Sequence, residues 1–147
     1  MLTVRTVRNR RELHRFITFP ERLYKDNPNW VHSLHTDEFN ALGDRNPALE
    51  FCERELYLAW RDGEIVGRVA AIVNRKANEL WKEQVVRFGW IDFIDDGEVV
   101  RALIDAVAAF GRERGCTVIK GPLGFTDMDV EKQTDGIRYT PMRIELF

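Results

Sequence analysis

Cysteine is scarce in this chain. Its two thiols, Cys52 and Cys116, stand beside apolar or β-branched neighbours, and no CxxC pair occurs. The pattern points to buried, reduced thiols in a cytoplasmic protein, not to a disulfide framework or a zinc or redox site. Long apolar runs are missing as well. No stretch approaches the roughly 18 residues that a membrane-crossing helix requires. The opening MLTVRTVRNRRELHRF also has no apolar segment of the kind a signal peptide carries. Nor is there an excess of either charge. With 22 basic and 24 acidic residues the net charge is −2, which gives no electrostatic case for nucleic acid. The early cluster Arg5, Arg8, Arg10, Arg11 and Arg15 reads as the wet face of a strand and a helix. Neither a nucleic acid nor a membrane is therefore expected as a partner.

What is present fits one ordinary globular domain. The chain has 147 residues, of which 44% are hydrophobic and 31% charged. A chain of that size buries enough apolar surface to fold without a disulfide or a metal.

Periodicity and turn chemistry set out the elements. Residues 3–7 alternate as a short strand. Asn9 caps a helix, with Glu12 three residues on. Helical spacing then runs through Leu13, Phe16 and Ile17. Pro20 is expected to end that helix near residue 17, with a second turn at 20–24. Asp26 to Trp30 is turn chemistry, Thr36 caps a short helix at 37–42, and Asn46-Pro47 breaks the chain again. Residues 55–61 and 64–73 read as strands. The Asp62-Gly63 step between them signals a hairpin with a type I′ turn. Residues 74–80 read as a short helix or a loop, and 85–94 as a third long strand. Asp95, paired with Glu98, is expected to cap the clearest helix, whose stripe is Val99, Val100, Leu103, Ile104, Val107 and Phe110 and whose stop is Gly115. A strand at 116–120 follows and ends at Gly121-Pro122. A strand, a helix of about 18 residues and another strand form a right-handed parallel crossover. The hairpin before them is antiparallel, so the sheet is mixed and the class is α/β (α+β).

Five phrases together resemble a bacterial group of GNAT-like proteins more than twice this length: FPERLYKDNPNWV (19–31), NPALEFCE (46–53), DGEIVGRVAAIVN (62–74), VRFGWIDFIDD (86–96) and KGPLGFTDMD (120–129). The resemblance implies a GNAT-like mixed, mostly antiparallel sheet with one parallel crossover, helices on both faces and C-terminal elements incomplete. It also implies a domain over 1–129, which leaves an atypical tail over 130–147 whose own residues can supply one strand at 139–146. The implied chemistry is N-acyl transfer from acetyl-CoA or another acyl-CoA to a small amine, by direct attack and without a covalent nucleophile. By the same resemblance the splayed strand is Phe88–Ile94 and the phosphate loop is Asp95–Val99. This makes Phe93, Ile94, Asp95, Asp96 and Gly97 the cofactor-binding candidates. The loop departs from the enzyme pattern, having one glycine, no basic residue and three carboxylates that would repel a pyrophosphate. That departure supports an alternative, a non-catalytic scaffold that binds a partner or pairs with itself.

Three acids are the catalytic candidates. Asp127 and Asp129 follow a Gly-rich bend at a strand's C-terminal end, a position where ligands favour open sheets. Asp92 lies inside an apolar strand. By strict alternation it shares a face with Phe88 and Trp90, opposite Ile91 and Phe93. His32 and His35 have a spacing seen in metal sites, but no motif places a third ligand and no metal site is expected. The strand at 116–120 needs cover for its edge. Either the tail strand folds back on it or two copies join as a homodimer.

Overall fold

The structure, a computed structural model, is described for residues 1–28, 35–125 and 142–146. In chain order it contains β1 (Leu2–Thr6), α1 (Arg10–Leu23), α2 (His35–Leu42), a 3₁₀ turn at Pro47–Glu50, β2 (Cys52–Arg61), β3 (Glu64–Asn74), α3 (Arg75–Trp81), β4 (Val85–Phe93), α4 (Gly97–Glu113), β5 (Val118–Gly121) and β6 (Met142–Glu145). The strands form one sheet in the order β1-β2-β3-β4-β5-β6. Every neighbouring pair is antiparallel except β4 and β5, which run parallel. The 17-residue helix α4 makes that crossover, and the Asp62-Gly63 hairpin has both residues at positive φ, 52° and 80°, as a type I′ turn requires.

Helices cover both faces. Val99, Leu103, Val107 and Phe110 of α4 pack on Val69, Ala71, Val86, Phe88 and Ile119. On the opposite face, Phe16 and Ile17 of α1 and Leu42 of α2 pack on Leu56, Leu58, Ala70, Ile72 and Trp90, and Phe125 joins them. A strand buried on both sides loses its polar alternation, which is why β3 is buried almost continuously from Val66 to Asn74.

Among the boundaries that differ from the sequence reading, two bear on the site. The first helix does not end near residue 17. It continues through Pro20 to Leu23. Proline lacks the N–H that would bond the carbonyl four residues earlier. That carbonyl, on Phe16, instead accepts from Arg68 Nη1 at 2.9 Å, and Tyr24 N–H restores the helical pattern to Pro20 O at 2.8 Å. The cap of α4 is Asp96, not Asp95. A tight turn from Asp96 N–H to Ile94 O at 2.7 Å uses up one residue, so the side chain that receives Glu98 N–H is Asp96, at 2.9 Å. The tail strand does fold back. β6 pairs antiparallel with β5, from Val118 opposite Glu145 to Gly121 opposite Met142.

The seat of α4 is close. A Cβ on Gly111 would lie 2.5 Å from Val86 Cγ1 and 2.8 Å from Val86 Cβ. In an exposed helix interior, glycine to alanine stabilises by about 1 kcal/mol. Here the sign reverses. Gly111→Ala is expected to lower stability by about 1–3 kcal/mol, the usual cost of overpacking. Denaturant unfolding measures it, and an increase in stability would contradict this packing.

Candidate active site

The site is built on an irregularity of β4. In the β3–β4 ladder Arg68 is opposite Asp92 and Ala70 is opposite Gly89. One residue of β3 thus faces two of β4, Trp90 and Ile91, which is a β-bulge. Trp90 sits at φ 47°, a conformation that a bulky side chain rarely adopts. Two contacts hold it there. Its Nε1–H donates to Glu38 Oε2 at 2.7 Å, and its ring meets Phe125 edge-on at 5.7 Å.

The bulge changes the phase of the strand. Phe88, before it, faces α4, and Ile91 and Phe93 after it do the same. Trp90 belongs to the opposite core. Asp92 is on that side as well, bonded to Tyr24, the residue that caps the C-terminal end of α1. The expectation that Asp92 shares a face with Phe88 is therefore corrected, because the extra residue lies between them. Its shared face with Trp90 stands.

Asp92 is 9% exposed and both its oxygens are engaged. Oδ1 accepts from Tyr24 Oη–H at 2.7 Å. Oδ2 accepts from Arg68 Nε at 2.9 Å and lies 2.8 Å from Arg68 Nη2. Arg68 is 5% exposed, so this is a buried ion pair whose charges are met by hydrogen bonds, the condition under which such pairs persist.

On its other side β4 opens. The parallel ladder pairs Val85, Val86 and Arg87 with Val118, Ile119 and Lys120. One bond then follows, from Leu123 N–H to Phe88 O at 2.8 Å. Glycines permit this approach. A Cβ on Gly89 would lie 2.3 Å from Leu123 O, and one on Gly121 would lie 2.4 Å from Phe88 O. Beyond Phe88, no β4 residue has a ladder partner on this side among the described residues.

Of the cofactor-binding candidates, Phe93 and Ile94 are half-buried, and Asp95 and Gly97 are exposed at the start of α4. Ile94 N–H is turned to β3 and bonds Val66 O at 3.0 Å. Three amides in the first turn of α4 are already used. Glu98 N–H bonds the Asp96 carboxylate, and Val99 and Val100 N–H both reach Asp96 O, at 3.1 and 3.3 Å. Arg61 approaches from β2, with Nη1 2.7 Å from Asp96 Oδ2 and Nη2 3.5 Å from Glu98 Oε2. The hydrogen bond from Arg61 and those from the helix amides hold the Asp96 carboxyl below its ordinary range. In return, that hydrogen bond raises Arg61.

The other candidates fare differently. Asp127, Asp129 and His32 lie outside the described residues. His35 pairs with Glu21, and no group of three or more metal-ligating side chains occurs among the described residues. Both cysteines are buried, and burial pushes the Cys116 thiol up, away from thiolate chemistry. Sequence reasoning missed Glu38, which is 4% exposed. A signal was available, since Glu38 lies four residues before Leu42, on the same face of α2.

No family model matches this chain. It is 36% identical over 119 residues to Protein YghO of Escherichia coli (strain K12), a match covering 81% of this chain and 30% of that protein. Over 127 residues it is 34% identical to the bacterial ceramide synthase of Caulobacter vibrioides (strain NA1000 / CB15N), covering 85% and 33%. The chain thus spans about a third of the length of these two relatives. Among solved structures it superposes on a tandem GNAT protein from the clavulanic acid biosynthesis pathway with a TM-score of 0.64 and 14% identity, over 82% of this chain and 36% of that one. The fold is GNAT-like. In this GNAT-like sheet the parallel β4–β5 pair, the bulge and the start of α4 lie together along one strand.

Two expectations follow. Arg68→Met leaves Asp92 buried without its partner and is expected to cost about 3–5 kcal/mol in chemical denaturation. Adding Asp92→Leu should recover part of that loss, whereas simple additivity would show that the pair is not coupled. The second concerns acid. The folded pKa of Asp96 is depressed, so its contribution is full above the unfolded value of about 3.9 and is lost as pH falls through the folded value. Asp96→Asn should therefore flatten the fall in stability below about pH 4, read from denaturation midpoints across that range.

Proposed function

We propose that this chain carries the acyl-donor side of an acyl-CoA-dependent N-acyltransferase. The observation that supports this reading is the open edge of β4 beyond Phe88, next to a bulge held by buried carboxylates. An acyl-CoA supplies an acyl group already activated as a thioester. The backbone of residues 91–93, which has no ladder partner on that side among the described residues, suits the amide-bearing arm of such a molecule, which would add to the sheet edge as an extended segment does. The start of α4 does not suit a pyrophosphate. Asp96 fills the anion position there, and Asp95 and Glu98 add like charge.

Two acids among the described residues are buried, Glu38 and Asp92, and both are linked to the bulge. Asp92 is tied by Arg68 and Tyr24 and is proposed as a positioning residue that fixes the strand. Glu38 is proposed to take the proton that an attacking amine releases. Asp127 and Asp129 remain proposed to orient the amine. The ceramide synthase relative is named for an amide-containing lipid, which agrees with an amine as acceptor.

One observation favours a second reading. The Asp96–Arg61 cap closes the site where phosphates would be cradled, as a non-catalytic scaffold would allow. Calorimetric titration with acetyl-CoA and with pantetheine separates the two. The acyl-carrier reading expects saturable binding of both, within a few-fold of each other, because the phosphates find no cradle. Absence of any heat at millimolar ligand would reject it in favour of the scaffold.

A further inference from the structure

β6 covers the edge of β5 and becomes an edge in its turn. Among the described residues no strand pairs with its outer side, and all four of its residues are exposed. Such an edge is a template for another strand. The ladder with β5 fixes which groups point outwards. Leu146 N–H bonds Thr117 O at 2.8 Å. Bonding direction alternates along an antiparallel strand, so Ile144 also bonds inwards, and the N–H and C=O groups of Arg143 and Glu145 face away from the sheet. Side chains alternate between the two faces. Ile144 is the register partner of Ile119, which packs under α4, so Met142, Ile144 and Leu146 share the α4 face. Leu146 packs against that core, whereas Met142 is 54% and Ile144 38% exposed. Arg143 and Glu145 share the other face, where Arg143 Nε lies 3.2 Å from Glu145 Oε1 and Nη1 lies 4.0 Å from Glu83 Oε1.

A second copy of the strand satisfies this pattern in one register. Two antiparallel copies related by a two-fold axis must bring their outward backbone groups together. An axis at Arg143 or at Glu145 sets that residue opposite itself, like charge against like, which is unfavourable. An axis at Ile144 sets Arg143 opposite the second copy's Glu145, and Glu145 opposite the second copy's Arg143. Each of those pairs exchanges both backbone hydrogen bonds, and the two isoleucines meet at the closer, non-hydrogen-bonded position between them. Met142 then stands opposite the second copy's Leu146, so the apolar stripe of the α4 face runs on across the seam. The other edge offers no such match. β1 has one charged residue, Arg5, and no register of that strand with itself pairs opposite charges.

We propose that the chain forms a homodimer by antiparallel pairing of β6 with β6 of a second copy, with Ile144 on the two-fold axis. The contact is short beside a standard protein interface, so the dimer is expected to be a reversible one. It needs no acyl carrier and shares no residue with the bulge or the start of α4.

Sedimentation equilibrium of the full chain, from micromolar to millimolar concentration, tests the proposal. A monomer–dimer equilibrium is expected. Arg143→Glu alone and Glu145→Arg alone each turn both opposite-charge pairs of the seam into like-charge pairs, and each should weaken dimerisation about tenfold or more. Mixed together, the two variants again set glutamate opposite arginine at both positions, so the mixture should associate about as strongly as the unaltered chain. Both side chains are exposed, and an unaltered unfolding midpoint in dilute solution confirms that the variants stay folded. A chain that is still monomeric at millimolar concentration would overturn the proposal, as would a dimer that neither variant weakens. A mixture no more associated than its two components would overturn the register and with it the assigned interface.

Discussion

The guanidinium of Arg68 joins three distant segments at one buried point. It supplies the hydrogen bond that Pro20 removes from α1, it neutralises Asp92 on β4, and it is itself anchored in β3. Taking a charge out of water is costly unless its donors and its partner are all satisfied. Here a proline in a helix and an acid in an apolar strand each provide what the arginine lacks. Either irregularity alone would be a defect. Together they fix α1 on the sheet beside the bulge.

That fixed point bears on the bulge. The left-handed conformation of Trp90 lies between Ala70 and Arg68 on the neighbouring strand, and Asp92 pins the strand immediately after it. Glu38 and Phe125 hold the indole from the other face. The β4 edge that lacks a ladder partner among the described residues thus follows a bulge held from two sides. At the start of α4 the balance differs. The Asp96 carboxylate caps Glu98 N–H and places a negative charge at the positive end of the helix dipole from within the chain.

Much of the fold was legible because local chemistry and global topology agree. The Asp62-Gly63 turn, the apolar stripe of α4 and the succession of elements from β1 to β5 along the chain followed from turn chemistry and spacing. The extent of α1 was not legible, because the partner that rescues Pro20 lies 48 residues away. Strict alternation misplaced Asp92 relative to Phe88, since nothing in the local pattern FGWIDF announces an extra residue. The spacing of Glu38 to Leu42 places it on the buried face of α2, but its partner, the indole of Trp90, lies on another element and was not legible. The capping residue of α4 was misread by one position, since Asp95 and Asp96 carry the same side chain and only the turn at Ile94 tells them apart.

The sheet is joined very unevenly. β2 and β3 share ten paired positions, whereas β4 and β5 share three and β5 and β6 four. Opening free energy in a folded domain follows such differences. The β5–β6 flank is therefore expected to open, and to exchange its amides, before the β2–β3 centre of the sheet.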